Sequence, residues 1–103
     1  MHIELLWFKG CPHHRMARTM IAEVLDALET DAVVETLEVG DEEHGRAVCF
    51  PGSPTIRVNG RDIEPGWEPC SDCTPRCRVY TRPDGVSGIP DRTWLVEAVQ
   101  QST

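Results

Sequence analysis

The chain has 103 residues, of which 40% are hydrophobic, with seventeen acidic against ten basic residues and a formal charge of -7. That length allows one domain with one core, and the apolar share is too high for a disordered chain. The acidic balance, without a basic stripe, excludes a duplex or polyanion binder and fits a soluble acidic surface. Nucleic acid is therefore not an expected partner.

The first residues, Met1-His2-Ile3-Glu4, lack the basic start of a signal peptide. The apolar stretch Leu5 to Phe8 is too short for a signal core or a membrane span. The expectation is a cytoplasmic protein with no membrane partner. In a reducing compartment, the five cysteines point to redox chemistry or metal binding rather than to a disulfide framework.

Ile3 to Phe8 is a nearly unbroken apolar run, the pattern of a strand buried on both faces of a sheet. Lys9-Gly10-Cys11-Pro12 interrupts it. Met16, Met20, Val24 and Leu28 then recur every four residues beside Ala17, Ile21 and Leu25, which predicts an amphipathic helix with Pro12 in its first turn. The methionines read as a core stripe. Val33 to Val39 predicts a second strand, parallel to the first through a right-handed crossover.

Asp41-Glu42-Glu43 places acids at the start of a short helix running through Ala47 and Val48, although Gly45 weakens it. Thr55 to Val58 is a third strand, Asn59-Gly60 a two-residue hairpin turn, and Arg61 to Glu64 the returning strand. Pro65 to Cys77 carries Pro, Gly and Cys without an apolar period and reads as a long loop. Arg78-Val79-Tyr80 is a short extended piece, followed by the turn Pro83-Asp84-Gly85. Asp91 caps a final helix that sends Trp94, Leu95, Ala98 and Val99 to the core. The expected architecture is a single α/β domain, an α+β sandwich of order β-α-β-(α)-β-β-α, with one mixed sheet covered by helices.

Cys11 lies between a buried strand and a helix start, where free N–H groups and the positive helix end stabilise a thiolate. It is the first candidate for a reactive cysteine; the alternative is a buried structural thiol. Cys70-Ser71-Asp72-Cys73 has the spacing with which two thiolates grip one ion, and Cys77 follows four positions later. The same three cysteines could instead be redox-active thiols, a clip for the loop, or inert. As a metal site they would take zinc or another soft ion, with Cys49, Cys11 or a histidine as further ligand.

The element order and Cys11-Pro12-His13-His14 resemble the thioredoxin superfamily, in which Gly52-Ser53-Pro54-Thr55 is similar to the segment carrying the fold's cis-proline. Phe8-Lys9-Gly10-Cys11-Pro12, the run Gly52 to Gly60 and Cys77-Arg78-Val79-Tyr80 resemble a group of small bacterial thioredoxin-like proteins. Some of those are fused to alkylmercury lyases or carry that description. The resemblance implies a thioredoxin-like fold in which Cys11 faces Pro54 with Cys77 close by.

The family's dithiol pattern is Cys-x-x-Cys, and here its second position is His14. Without that thiol the ordinary cycle cannot run inside the motif. Cys49 or Cys77 could resolve, Cys11 could act as a monothiol, or Cys11 could be a ligand beside His13 or His14. His14 could equally be an exposed residue of the first helical turn. The expected function is thiol redox centred on Cys11, with His14 and Pro54 in its site and client thiols, client disulfides or small thiols as partners. The alternatives are a zinc- or mercury-binding thiolate protein and a non-catalytic interaction module.

Overall fold

The computed structural model describes residues 1–67 and 76–102. Its first strand, β1 (His2–Trp7), is central because both of its faces are apolar: Ile3 and Leu5 point to one side and Leu6 to the other, all fully buried. Each such side chain removed from water contributes about 2 kcal/mol. β1 pairs in parallel with β2 (Val33–Glu38) and antiparallel with β3 (Thr55–Val58), which pairs antiparallel with β4 (Arg61–Asp62). The four-stranded mixed sheet therefore has the order β2-β1-β3-β4.

Helix α1 (His14–Ala27) follows β1, and α3 (Arg92–Gln101) closes the described chain. Ala17, Met20, Ile21 and Val24 of α1 meet Leu95 and Val99 of α3 over Ile3, Leu5, Ile56 and Val58 of the sheet. Leu6 on the opposite face packs with Val39 and Phe50, joined by Phe8, Leu37 and Val48. The short helix α2 (Glu42–Ala47) leads into that second cluster. Asp41 caps it by accepting the His44 N–H at 2.8 Å, and the buried Gly45 carbonyl accepts the Phe50 N–H. Helices cover a mixed sheet in a compact α/β unit, and the expected element order stands through this part of the chain. Among the described residues, no helix is long and apolar enough to cross a membrane.

Local differences from the sequence reading have physical causes. Helix α1 begins at His14 with His13 at the cap position, so Pro12 belongs to the preceding turn rather than to the first helical turn. Met16 is 55% exposed instead of buried. At 3.6 residues per turn it sits about 90° from the centre of the buried stripe, at the margin of the helix face. The returning strand stops at Asp62 because the Asp62 carboxylate accepts the Glu64 N–H at 2.9 Å and turns the chain. Asn59 and Gly60 both have positive φ, as a two-residue type I′ hairpin turn requires.

The sheet is also not one. β5 (Tyr80–Arg82) and β6 (Gly85–Ser87) form a separate antiparallel hairpin, where the sequence suggested only an extended piece and a turn. Three-residue strands carry too little hydrophobic pattern to announce themselves. Fully buried Tyr80 ties this hairpin to the body of the protein: its ring packs near Trp94, and its hydroxyl donates to the Pro54 carbonyl. Burial pushes the Tyr80 phenol well above its ordinary value, more than the nearby Arg78 charge lowers it.

The folded state thus holds a Tyr80 proton that the unfolded chain releases above about pH 10, so the stabilisation is complete below that pH and declines above it. Tyr80 is the only tyrosine. In an alkaline titration, the tyrosinate absorbance is expected to appear together with loss of the far-UV signal. Tyrosinate formation in a still-folded protein would show that the phenol is not sealed.

Candidate functional site

After β1 the chain turns through Lys9 and Gly10, and the Cys11 N–H returns to the Phe8 carbonyl at 3.1 Å. A Cβ on Gly10 would lie 2.6 Å from the Phe8 ring, which would have to shift to admit it. Cys11 is thereby carried under the segment that precedes β3, with 1% of its surface exposed, and its thiol donates to the Ser53 carbonyl at 3.3 Å. The Ser53–Pro54 peptide bond is cis. Cys11 and the loop of Pro54 therefore meet, as the motif resemblance implied.

Residues 76–78 lie along this loop through a single parallel bridge between Ser53 and Cys77. The Ser53 N–H donates to the Arg76 carbonyl at 2.7 Å, and the Arg78 N–H donates to the Ser53 carbonyl at 2.8 Å. Gly52 makes this approach feasible: its φ is +131°, and a Cβ there would lie 2.8 Å from Arg78 Cβ. Between the two bonds sits Cys77, exposed and opposite the residue whose carbonyl takes the Cys11 thiol. Interaction with the neighbouring Cys11 thiol, followed by partial burial and the Cys11 charge, raises the Cys77 thiol above its ordinary value.

A buried ion cluster fixes the strand. The Arg78 guanidinium, 7% exposed, reaches Asp62 at 2.6 and 3.2 Å, Glu64 at 3.2 Å and the Thr55 hydroxyl at 3.0 Å. It also lies 4.4 Å from the Tyr80 ring centroid. The carbonyls of Gly52, Ser53 and Pro54 are used: Thr55 Oγ1 donates to Gly52, Cys11 and Arg78 donate to Ser53, and Tyr80 donates to Pro54, while the buried Ser53 hydroxyl has no hydrogen-bond partner. Pairing of the main-chain groups in this way makes their burial tolerable.

The other candidates occupy different positions. The His14 ring stacks on Trp7 at 4.2 Å between centroids, and its Nδ1 donates to the Cys11 carbonyl at 3.1 Å. It therefore bonds to the backbone of Cys11 rather than to its sulfur. The His13 ring packs where a Cβ on Gly88 would stand, 2.6 Å away. Cys49 is exposed, with φ of +52°, in the turn after α2, and its carbonyl accepts from Arg57 at 2.9 Å. Of the two thiols considered as partners for Cys11, Cys77 is the one brought beside it, on the other side of Ser53.

The proposed metal residues Cys70 and Cys73 lie outside the described residues, and Cys77 is seated beside Cys11. Among the described residues, no group of three or more His, Cys, Asp or Glu side chains is arranged to hold a metal ion. From the sequence, Thr55, Arg78 and Tyr80 stood in extended pieces and in the resembling motifs, and Asp62 in the returning strand, with no role in the site. A signal existed in Arg78, a charge next to a β-branched residue and an aromatic in an extended piece, with Asp62 and Glu64 alternating in the preceding hairpin.

No protein-family model, curated protein or solved structure matches the chain.

The interaction between the two thiols has a measurable consequence. Alkylation of Cys77, followed across pH by peptide mass spectrometry, is expected to show a midpoint above that of a free thiol. Cys11→Ala should move that midpoint down, because the main cause of the rise is removed. An unchanged midpoint would mean that the two thiols do not interact.

Proposed function

We propose that the chain is a thioredoxin-like thiol protein whose working centre is the Cys11–Cys77 pair, cycling between dithiol and disulfide. The fold part of this reading is supported by the order β2-β1-β3-β4, with β3 antiparallel to its neighbour β1, and by a cysteine at the end of β1 facing a cis-proline ahead of β3. The observation that carries the function is that Cys77 stands opposite Ser53, whose carbonyl takes the Cys11 thiol, beside the cis bond to Pro54. His14 leaves the helix start without a second thiol, and Cys77 supplies it from a distant part of the chain. When the pair closes to a disulfide, a partner disulfide takes up the two electrons and two protons and leaves as two thiols. The reverse reaction resets the pair.

The same two sulfurs offer a two-thiolate grip to a soft cation, which keeps capture of zinc or a mercurial as the second reading. His14 has a supporting role in both: stacked on Trp7, it holds the Cys11 carbonyl and with it the turn that presents the sulfur.

Mild oxidation followed by non-reducing peptide mapping tests the proposal. The expected product is a disulfide joining Cys11 to Cys77, reversible by small thiols and abolished by Cys11→Ser or Cys77→Ser. If Cys11 and Cys77 both stay reduced while other cysteines oxidise, the redox reading falls. Protection of both thiols by a stoichiometric soft metal, seen by native mass spectrometry, would favour the second reading.

A further inference from the structure

The two sulfurs of the pair are not equivalent. Cys11 is 1% exposed beneath the loop, whereas Cys77 is exposed. Thiol–disulfide exchange needs the attacking sulfur to approach the partner's sulfur, so access decides which thiol can begin.

The backbone beside the pair is not open either. Extended peptides dock on an unpaired strand edge through main-chain hydrogen bonds. Beside Cys11, the Ser53 N–H and carbonyl are already engaged by Arg76 and Arg78 at 2.7 and 2.8 Å. Residues 76–78 thus fill the main-chain positions at Ser53 that an extended peptide would need. A peptide could take that place only by drawing Arg78 away from Asp62, whose side chain is 1% exposed, and from Glu64. Those carboxylates would be left unpaired, which strongly opposes the exchange.

We propose that Cys77, not Cys11, is the sulfur that meets the partner, and that the partner is a low-molecular-weight disulfide rather than the disulfide of an extended peptide. This rests on the dithiol reading above. The Cys77 thiolate attacks one sulfur of the small disulfide, forming a Cys77 mixed disulfide and releasing one thiolate, which takes up the Cys77 proton. Cys11 then loses the proton it donates to Ser53 and attacks the Cys77 sulfur. The Cys11–Cys77 disulfide forms, and the second small thiolate leaves and takes up the Cys11 proton. One dithiol and one small disulfide become one protein disulfide and two small thiols. Two equivalents of small thiol reverse the sequence.

The high proton affinity of the Cys77 thiol adds a pH signature. The first step should accelerate with pH beyond the range in which an ordinary free thiol has levelled off, because the reactive thiolate is formed later.

Oxidised glutathione serves as the probe, with site assignment by peptide mass spectrometry. In Cys11→Ser, one glutathione is expected to accumulate on Cys77, since nothing resolves it. In Cys77→Ser, modification of buried Cys11 should be slower by about tenfold or more. The full chain should release two reduced glutathiones per Cys11–Cys77 disulfide formed. It should oxidise about tenfold more slowly with a disulfide-linked extended peptide of matched thiol acidity. Equal or faster trapping on Cys11, or a peptide disulfide reacting as fast as the small one, overturns this proposal while the dithiol reading stands. Failure of the full chain to form a Cys11–Cys77 disulfide with any oxidant overturns both.

Discussion

The main chain of Ser53 is held between Arg76 and Arg78, and the rest of the site depends on that pairing. Its N–H and carbonyl reach one strand at 2.7 and 2.8 Å, and the same carbonyl takes the Cys11 thiol from below. One residue therefore joins the turn after β1 to the segment that leads into β5. Without the pairing, Cys11 and Cys77 are 66 positions apart in the chain (77 minus 11) with no local reason to meet. With it, Cys77 falls opposite Ser53, the residue whose carbonyl takes the Cys11 thiol.

What holds residues 76–78 in place is burial of Arg78 against Asp62, Glu64 and Thr55. Such a cluster gives modest net stabilisation, because desolvation of the charges offsets much of their attraction. Its specificity is another matter. Removing one partner of a buried pair costs about 3–5 kcal/mol, a large part of the roughly 5–15 kcal/mol that keeps a small domain folded. The strand therefore has one well-defined seat. Tyr80 reinforces it from the other side by binding the Pro54 carbonyl and packing near Trp94 of α3. The site is thus braced by β4, α3 and the β5–β6 hairpin as well as by the elements that carry the cysteines.

Much of the framework was legible because it rests on patterns that repeat. The apolar run at β1, the four-residue spacing in α1, the Asn59-Gly60 turn and the caps Asp41 and Asp91 each have a local cause, and the elements they announce are present, with α1 starting later than Pro12 suggests and Met16 at the margin of its buried face. Cys11 beside Pro54 was legible from motif resemblance rather than from periodicity. The hairpin of β5 and β6 was not, since three residues per strand leave no period to count. Arg78 was missed for a related reason. A charged residue in a short extended piece ordinarily faces solvent, and only its distant partners Asp62 and Glu64 make its burial tolerable. The choice between Cys49 and Cys77 also depended on a long-range contact, so the sequence left both open.

In the proposed reading, the pairing at Ser53 brings in Cys77 as the second thiol where His14 takes the second position of a Cys-x-x-Cys pattern. The bridge also engages the Ser53 N–H and carbonyl, which closes them to an extended ligand.

Amide hydrogen exchange at Ser53 and Arg78 tests this account most directly, because those two N–H groups make the bridge itself. If residues 76–78 are seated as a strand on the proline loop, both amides exchange as slowly as those in the centre of β3. If they exchange at the rate of the open turn at Lys9 and Gly10, the bridge is not a stable feature, and the account of how Cys77 reaches Cys11 fails.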